Sequence, residues 1–423
     1  MLTTVPRGTK DILPAEIGAW RHVEQVLRDM CDRFGFQEIR TPLFEHTELF
    51  QRGIGDTTDV VEKEMYSFTD RGKRSITLRP ENTASAVRAF VEHKMYGDPD
   101  PAKLFYIGPM FRYDRPQAGR QRQFHQFGVE ALGVAGPAMD AEVILLAVQI
   151  LKELGLKDLQ LKINTVGCPK CRPAYREKLQ AYFRPHEAEL CEDCKSRLER
   201  NPMRILDCKN EGCKALAPAA PKLSECLCDE CKEHFDSVQE LLTAAGVEYE
   251  LDTTLVRGLD YYTRTAFEIQ YTPLGAQSAV CGGGRYDGLV EEIGGPATPG
   301  IGFAMGLERV ILALESQNLL PETAYGLDVY AVAPRPEVFR AAFKAVEELR
   351  EAGLKAGFDY QQRSMKAQMK AANRQKAKFV LIFGEDEFAR GAVVLRNMEN
   401  SEQKEISLSE ITTILKTEVQ KND

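Results

Sequence analysis

The stretch from Met110 to Glu130 constrains the fold most, because two apolar-rich, strand-like segments flank a polar loop, FRYDRPQAGRQRQFHQ, that no hydrophobic core could hold. Arg112, Arg115, Arg120 and Arg122 all fall in that loop. Each guanidinium is a planar fork of donors matched to phosphate oxygens, so the loop reads as a polyanion site. Charge runs are most often solvated faces, so the reading needs support from elsewhere in the chain.

Two further segments supply it. LVRGLDYYTRTAFEI puts Arg257 in a Gly-containing turn beside Asp260, Tyr261 and Tyr262, ahead of a strand-like run. GIGFAMGLERVI is a Gly-rich strand-to-helix junction with Glu308 and Arg309 in the first turns of the helix. The Gly-rich CGGGRYDGL, Cys281 to Leu289, lacks the spacing of a dinucleotide-binding turn.

Residues Ala15 to Phe34 read as an amphipathic helix, with Ile17, Trp20, Val23, Leu27 and Met30 at helical spacing and Pro14 near its start. Lys103 to Glu130 reads as strand, strand, polar loop and strand. An apolar-faced helix follows over Ala138–Leu154, then a strand near Leu159–Asn164. Further strands are expected at Thr265–Ile269, Ser278–Cys281 and Ile301–Ala304. Hairpin-like spacing favours a largely antiparallel sheet with helices packed on it, an α+β core. After about Pro321 short strands alternate with helices, at LDVYAVA, Glu337–Glu351, Ser364–Lys376 and KFVLIFG, the pattern of a small α/β domain with a mostly parallel sheet. Its second helix carries Lys366, Lys370 and Arg374 at intervals of four, with Met365, Met369 and Ala372 on another face. No acidic residue between Arg363 and Lys378 neutralises that basic stripe.

Nine of the eleven cysteines lie between Cys168 and Cys231, as CPKC (Cys168, Cys171), CEDC (Cys191, Cys194), the pair Cys208 and Cys213, and CLCDEC (Cys226, Cys228, Cys231). Repeated CxxC knuckles aim two thiolates at one tetrahedral ion, so in a cytosolic chain the block reads as structural Zn²⁺, with free buried cysteine as the competing account. The length of 423 residues implies two or three domains, and the formal net charge of −8 means that any RNA contact uses local basic patches. The N-terminus lacks the pattern of a secretory signal. The longest apolar run, Val143 to Leu151, is too short to span a bilayer. A cytoplasmic location is expected.

Together these segments resemble the class II aminoacyl-tRNA synthetases, and among them the histidyl-tRNA synthetase family. RGTKDILP resembles the family's opening, FGFQEIRTPLFE its first motif, FRYDRPQAGRQRQFHQ its second and GIGFAMGLERV its third, while LVRGLDYYT is the segment most particular to the histidine enzymes. LRPENTA resembles the amino-acid-binding loop, with Asn82 where the family pattern has glycine. The resemblance implies a catalytic domain in two parts, 1–167 and 235–320, a Cys-rich helical insertion at 168–234 that approaches the acceptor arm of tRNA, and an anticodon-binding α/β domain at 326–423. It implies a homodimer formed through the first helix and the strand ending at Pro42. The implied reaction uses ATP and Mg²⁺ to convert L-histidine to histidyl-adenylate and then charges tRNA-His. Arg112 and Arg257 would act on the α-phosphate, and Arg120 and Arg309 would also bind ATP. Glu81, Thr83, Gln126, Glu130, Tyr261, Tyr262 and Tyr286 would hold histidine. Arg115, Gln117, Lys366, Lys370 and Arg374 would contact tRNA. Two rivals stay open: a catalytically silent regulatory subunit that resembles these enzymes, and a zinc-ribbon nucleic-acid module.

Overall fold

The computed structural model describes residues 3–55, 58, 60–208, 210–256, 261–321 and 326–420, with the backbone alone at 276 and 277. It divides into two compact units, Met1–Pro321 and Glu322–Asp423. In the first, an eight-stranded sheet runs in the order Gln37–Glu38, Ala102–Phe111, Gln123–Leu132, Gly300–Gly306, Ala279–Arg285, Thr263–Gln270, Gln160–Thr165 and Glu250–Leu251. The two outermost pairings are parallel and the five between them antiparallel.

Alternation along these strands gives the sheet two faces with different tasks. Phe127, Val129, Ala131, Ile301, Phe303 and Met305 enter one core with the helices Ile17–Arg33, Pro137–Glu153 and Leu307–Ser316. Trp20, Val23, Leu27 and Met30 of the first helix are all buried there, as their spacing requires. The intervening Gln126, Glu130, Gly302 and Ala304 line the opposite, functional side.

Where two strands were expected ahead of the arginine loop, the structure has one, Ala102–Phe111, paired from Ala102 opposite Leu132 to Phe111 opposite Gln123. Gly108 and Pro109 look like a break in the sequence. The short first strand pairs only at Leu104 and Phe105, so Pro109 lies on an edge where its missing N–H costs nothing. Its carbonyl accepts Arg79 Nε at 2.9 Å.

The Cys-rich segment leaves the sheet after Gln160–Thr165 and forms the helices Arg172–Phe183, Glu192–Arg200 and Glu211–Leu216. Tyr175, Leu179, Phe183, Leu198 and Ile205 form its interior, which is continuous with Tyr261, Tyr262 and Tyr286. The next helix, Asp229–Ala244, runs through the expected end of the insertion at 234: Cys231 lies in its first turns, and Val238 and Leu242 enter the core under the eight-stranded sheet. No helix among the described residues is long and apolar enough to cross a membrane.

In the second unit, five strands run in the order Ala356–Phe358, Val329–Val332, Phe379–Ile382, Ala392–Asn397 and Gln403–Ser407. The expected mostly parallel sheet is mixed, since a C-terminal hairpin adds two antiparallel pairings to two parallel ones. The helix Met365–Arg374 packs Ala371 and Ala372 against Tyr330, Val332 and Val380. Met365, on the face away from the basic stripe, is exposed, whereas Gln368 is buried. Its amide accepts Ala333 N at 2.9 Å and donates to Ala333 O at 3.1 Å, so a polar side chain satisfies a strand end.

Candidate functional site

The functional face of the sheet borders a cavity of about 250 Å³. Glu130 lies at its base, fully buried, and accepts three hydroxyl hydrogens: from Thr83 Oγ1 at 2.7 Å, from Tyr106 at 3.2 Å and from Tyr286. Burial outweighs those bonds and raises its carboxyl pKa to about 8, with the neighbouring Glu81 adding to the shift. Gly302 stands opposite Glu130 across the strand pair, and a Cβ there would collide with the carboxylate. A Cβ on Gly128 would strike the Tyr106 ring, so two glycines open the space that these side chains fill.

The expected histidine-binding residues converge on this cavity. Glu81, Thr83, Gln126, Glu130, Tyr261, Tyr262 and Tyr286 all line it. Tyr261 packs on Tyr262 at 4.6 Å between centroids and on Tyr286 at 5.6 Å. The carboxylate of Glu81 accepts the backbone N–H of Thr83 at 2.6 Å and of Ala84 at 3.0 Å, capping the helix Thr83–Glu92, and burial raises its pKa. Asn82, at the position where glycine was expected, takes φ −121°, a conformation open to any residue, and its Oδ1 accepts Arg79 at 2.9 Å and Thr41 at 2.6 Å. Gln126 Oε1 is buried with no partner among the described residues, an acceptor aimed at nothing protein-borne.

Along another wall stand Arg112, Arg120 and Arg309. Arg112 donates Nε to Pro80 O at 2.8 Å, tying the arginine loop to the Glu81 segment. Arg309 donates Nε to Gly119 O at 2.9 Å and Nη1 to Ala279 O at 2.8 Å, tying the loop to the third motif. Arg120 pairs with Asp114 and stands 3.7 Å from Glu64. Arg122, by contrast, stacks on Tyr113 at 3.9 Å and braces the loop. Glu308 lines the same wall, with its carboxylate accepting His125 N at 2.9 Å. Arg257 lies outside the described residues.

The residues expected at tRNA are exposed: Arg115 and Gln117 in the loop, and Lys366, Lys370 and Arg374 along one face of their helix. Eight of the nine block cysteines gather into two tetrads, Cys168, Cys171, Cys228 and Cys231, and Cys191, Cys194, Cys208 and Cys213, each with all sulfurs within 4.8 Å of one another. Cys226, expected among the ligands, belongs to neither, because each tetrad is complete without it.

Sequence reasoning missed Tyr106, Gly128 and Gly302. A diagonal signal existed for Tyr106, since the hairpin register that sets Leu104 opposite Glu130 sets Tyr106 two residues away on the same face.

The family model for histidyl-tRNA synthetase matches residues 8–310, and that for the anticodon-binding domain matches 328–418. The chain belongs to the histidyl-tRNA synthetase family. Curated relatives named histidine--tRNA ligase include those of Desulforamulus reducens, 58% identical over 98% of this chain and 99% of the relative, and Moorella thermoacetica, 57% identical over 97% of each. The solved apo histidyl-tRNA synthetase of S. aureus superposes with a TM-score of 0.84 at 42% identity, covering 98% of this chain and 99% of that one. A Bacillus halodurans structure titled as an ATP phosphoribosyltransferase regulatory subunit/histidyl-tRNA synthetase superposes at 0.63 with 20% identity over 90% of this chain, a likeness of fold alone. The synthetase fold therefore spans both units, with the arginine wall and the Glu130 cup in the first.

Proposed function

We propose that this cavity carries out both steps of the family's reaction, forming histidyl-adenylate from L-histidine and ATP and then passing the histidyl group to the terminal ribose of tRNA-His. The observation that carries the proposal is the joining of a buried, hydroxyl-lined carboxylate to a wall of three arginines in one cavity. In the first step the histidine carboxylate attacks the α-phosphorus of ATP and pyrophosphate leaves. The protein supplies no nucleophile, so positioning and charge stabilisation are its tasks.

Arg112 holds the α-phosphate from one side and Arg257 stabilises the charge that grows there from another. Arg309 binds near the γ-phosphate, and Arg120 joins it on the outer phosphates by exchanging its carboxylate partners. Glu130 and Tyr262 address the two imidazole nitrogens, so histidine is favoured over amino acids whose side chains offer no nitrogen to these groups. Glu81, Thr83 and Gln126 take the α-amino and carboxylate groups, and the unpartnered Gln126 Oε1 suits an ammonium donor. Tyr261 and Tyr286 shape the ring slot.

Mg²⁺ is typical of these synthetases, and the hard oxygens of Glu308 beside Arg309 suit it. When bound it neutralises charge on the outer phosphates. Transfer to tRNA would use Arg115 and Gln117 at the exposed loop, and Lys366, Lys370 and Arg374 at the anticodon arm. The exposed Leu43 and Phe44, adjacent in the first motif, support a homodimer. A cytoplasmic location goes with that role in translation.

A regulator that only binds histidine would have no use for the arginine wall. The test is ATP–pyrophosphate exchange with purified protein and each standard amino acid in turn. Exchange with histidine alone supports the proposal, and exchange that requires another amino acid overturns it.

A further inference from the structure

The eight clustered cysteines are free thiols whose geometry suits one ion per tetrad. Four thiolates at about 2.3 Å from a tetrahedral Zn²⁺ stand about 3.8 Å apart. The structure places Cys168 Sγ 3.7 Å from Cys171 Sγ and 3.9 Å from Cys228 Sγ, and Cys191 Sγ 3.8 Å from Cys208 Sγ. A polynuclear iron–sulfur cluster would spread its ligands further. Backbone donors support thiolate character: Cys228 N–H points to Cys171 Sγ and Cys191 N–H to Cys213 Sγ, both at 3.2 Å. Arg197 Nη1 lies 3.9 Å from Cys194 Sγ, a cation beside what would be a doubly negative centre.

The two tetrads differ in what they join. Cys191, Cys194, Cys208 and Cys213 link the helices Glu192–Arg200 and Glu211–Leu216 within the insertion. The other tetrad closes the root of the insertion, bringing the knuckle just after the strand Gln160–Thr165 to the start of the helix Asp229–Ala244, whose later turns lie in the catalytic core. Arg172 follows Cys171 directly and donates to the carbonyl of Tyr262 and, at 3.3 Å, to that of Val166. Beside it, Arg264 N–H bonds to Gly167 O at 2.8 Å and Val166 N–H to Arg264 O at 2.6 Å. A short rigid path thus runs from the root knuckle to the backbone of a residue that lines the cavity.

We propose that the chain binds two structural Zn²⁺ ions, and that the root ion, acting through Arg172, positions Tyr262 for histidine. Each ion replaces the four thiol protons of its tetrad, which leave to solvent. The positioning half rests on the proposed histidine pocket, whereas the metal half stands without it.

Metal analysis of protein purified without chelator tests the metal half. Two zinc ions per chain, and an intense thiolate-to-cobalt absorption after Co²⁺ exchange, are expected. A full titre of reactive thiols without metal, or iron in place of zinc, overturns it. For the positioning half, Cys168→Ser/Cys228→Ser should lose one zinc and raise KM for histidine in pyrophosphate exchange by roughly tenfold or more, the effect of about 1.4 kcal/mol, with KM for ATP little changed. Cys191→Ser/Cys208→Ser should lose the other zinc and leave KM for histidine within about twofold. Should the root variant fail to fold, Arg172→Leu tests the same path, keeping both ions while raising KM for histidine. Unchanged KM for histidine in a folded root variant or in Arg172→Leu overturns the positioning role.

Discussion

Replacing Glu130 by glutamine isolates the titratable group at the base of the cavity. The fully buried carboxyl holds its proton to about pH 8, against an ordinary value of 4.5. Between those values the folded chain keeps a proton that the unfolded chain has lost, so stability falls as pH rises, by about 1.4 kcal/mol per unit. The contribution is full below about pH 4.5 and gone above about pH 8. Glutamine does not titrate. From about pH 6 to pH 8 the wild type should therefore lose on the order of 2–3 kcal/mol relative to Glu130→Gln. Thr83, Tyr106 and Tyr286 face the group in both proteins, and Glu81 is the second carboxylate there, so the comparison subtracts most of its own titration. The same change should raise KM for histidine, since loss of a buried hydrogen-bond partner costs roughly 1–3 kcal/mol, about 5- to 150-fold. The assay is thermal unfolding of the catalytic unit across that pH range, beside pyrophosphate exchange at each pH. Parallel stability profiles together with an unchanged KM would refute the reasoning.

Other perturbations probe the remaining walls. Gly302→Ala should impair histidine binding more than ATP binding, because the added methyl collides with the Glu130 carboxylate; equal KM values for variant and wild type, measured by exchange, would contradict the close approach. Arg257→Ala should slow adenylation by about 10² to 10³ with a smaller effect on histidine affinity, as removal of one preorganised donor does; near-wild-type single-turnover rates would remove it from the chemistry. Lys366→Ala/Lys370→Ala/Arg374→Ala should weaken tRNA binding and flatten its salt dependence by up to roughly one unit of slope per lost phosphate contact, with exchange intact. If affinity and slope stay at wild-type values, that stripe is a solvated face.

Much of the catalytic side was legible because its signals are local. The helical spacing of Trp20, Val23, Leu27 and Met30, the alternation around Phe127 and Val129, and the crowding of Arg112 and Arg120 each follow from short-range periodicity or charge. What escaped depends on register between distant strands. Nothing near Gly302 in sequence reveals that it faces Glu130, and Tyr106 needed the hairpin register before its hydroxyl could be aimed. The cysteines divide in the same way. CxxC spacing identifies knuckles, yet only the fold decides that Cys168 and Cys171 join Cys228 and Cys231 some sixty residues away, with Cys226 left over. In the second unit the hairpin after Phe379–Ile382 went unread: Ala392–Asn397 offers only a four-residue apolar run, and its partner Gln403–Ser407 is polar and mostly exposed, with no strand signal of its own.

The central claim is that the Glu130 cup and the arginine wall activate histidine, and rapid quench of one turnover tests it most directly. Protein in excess over ATP labelled in its α-phosphate is mixed with histidine and Mg²⁺, and acid-quenched samples are resolved for adenylate. The account predicts a histidine-dependent burst of histidyl-adenylate with release of pyrophosphate, strongly slowed in Arg112→Ala. Labelled ATP left intact while histidine binds at equilibrium would contradict it and make the chain a histidine-binding regulator on a synthetase fold.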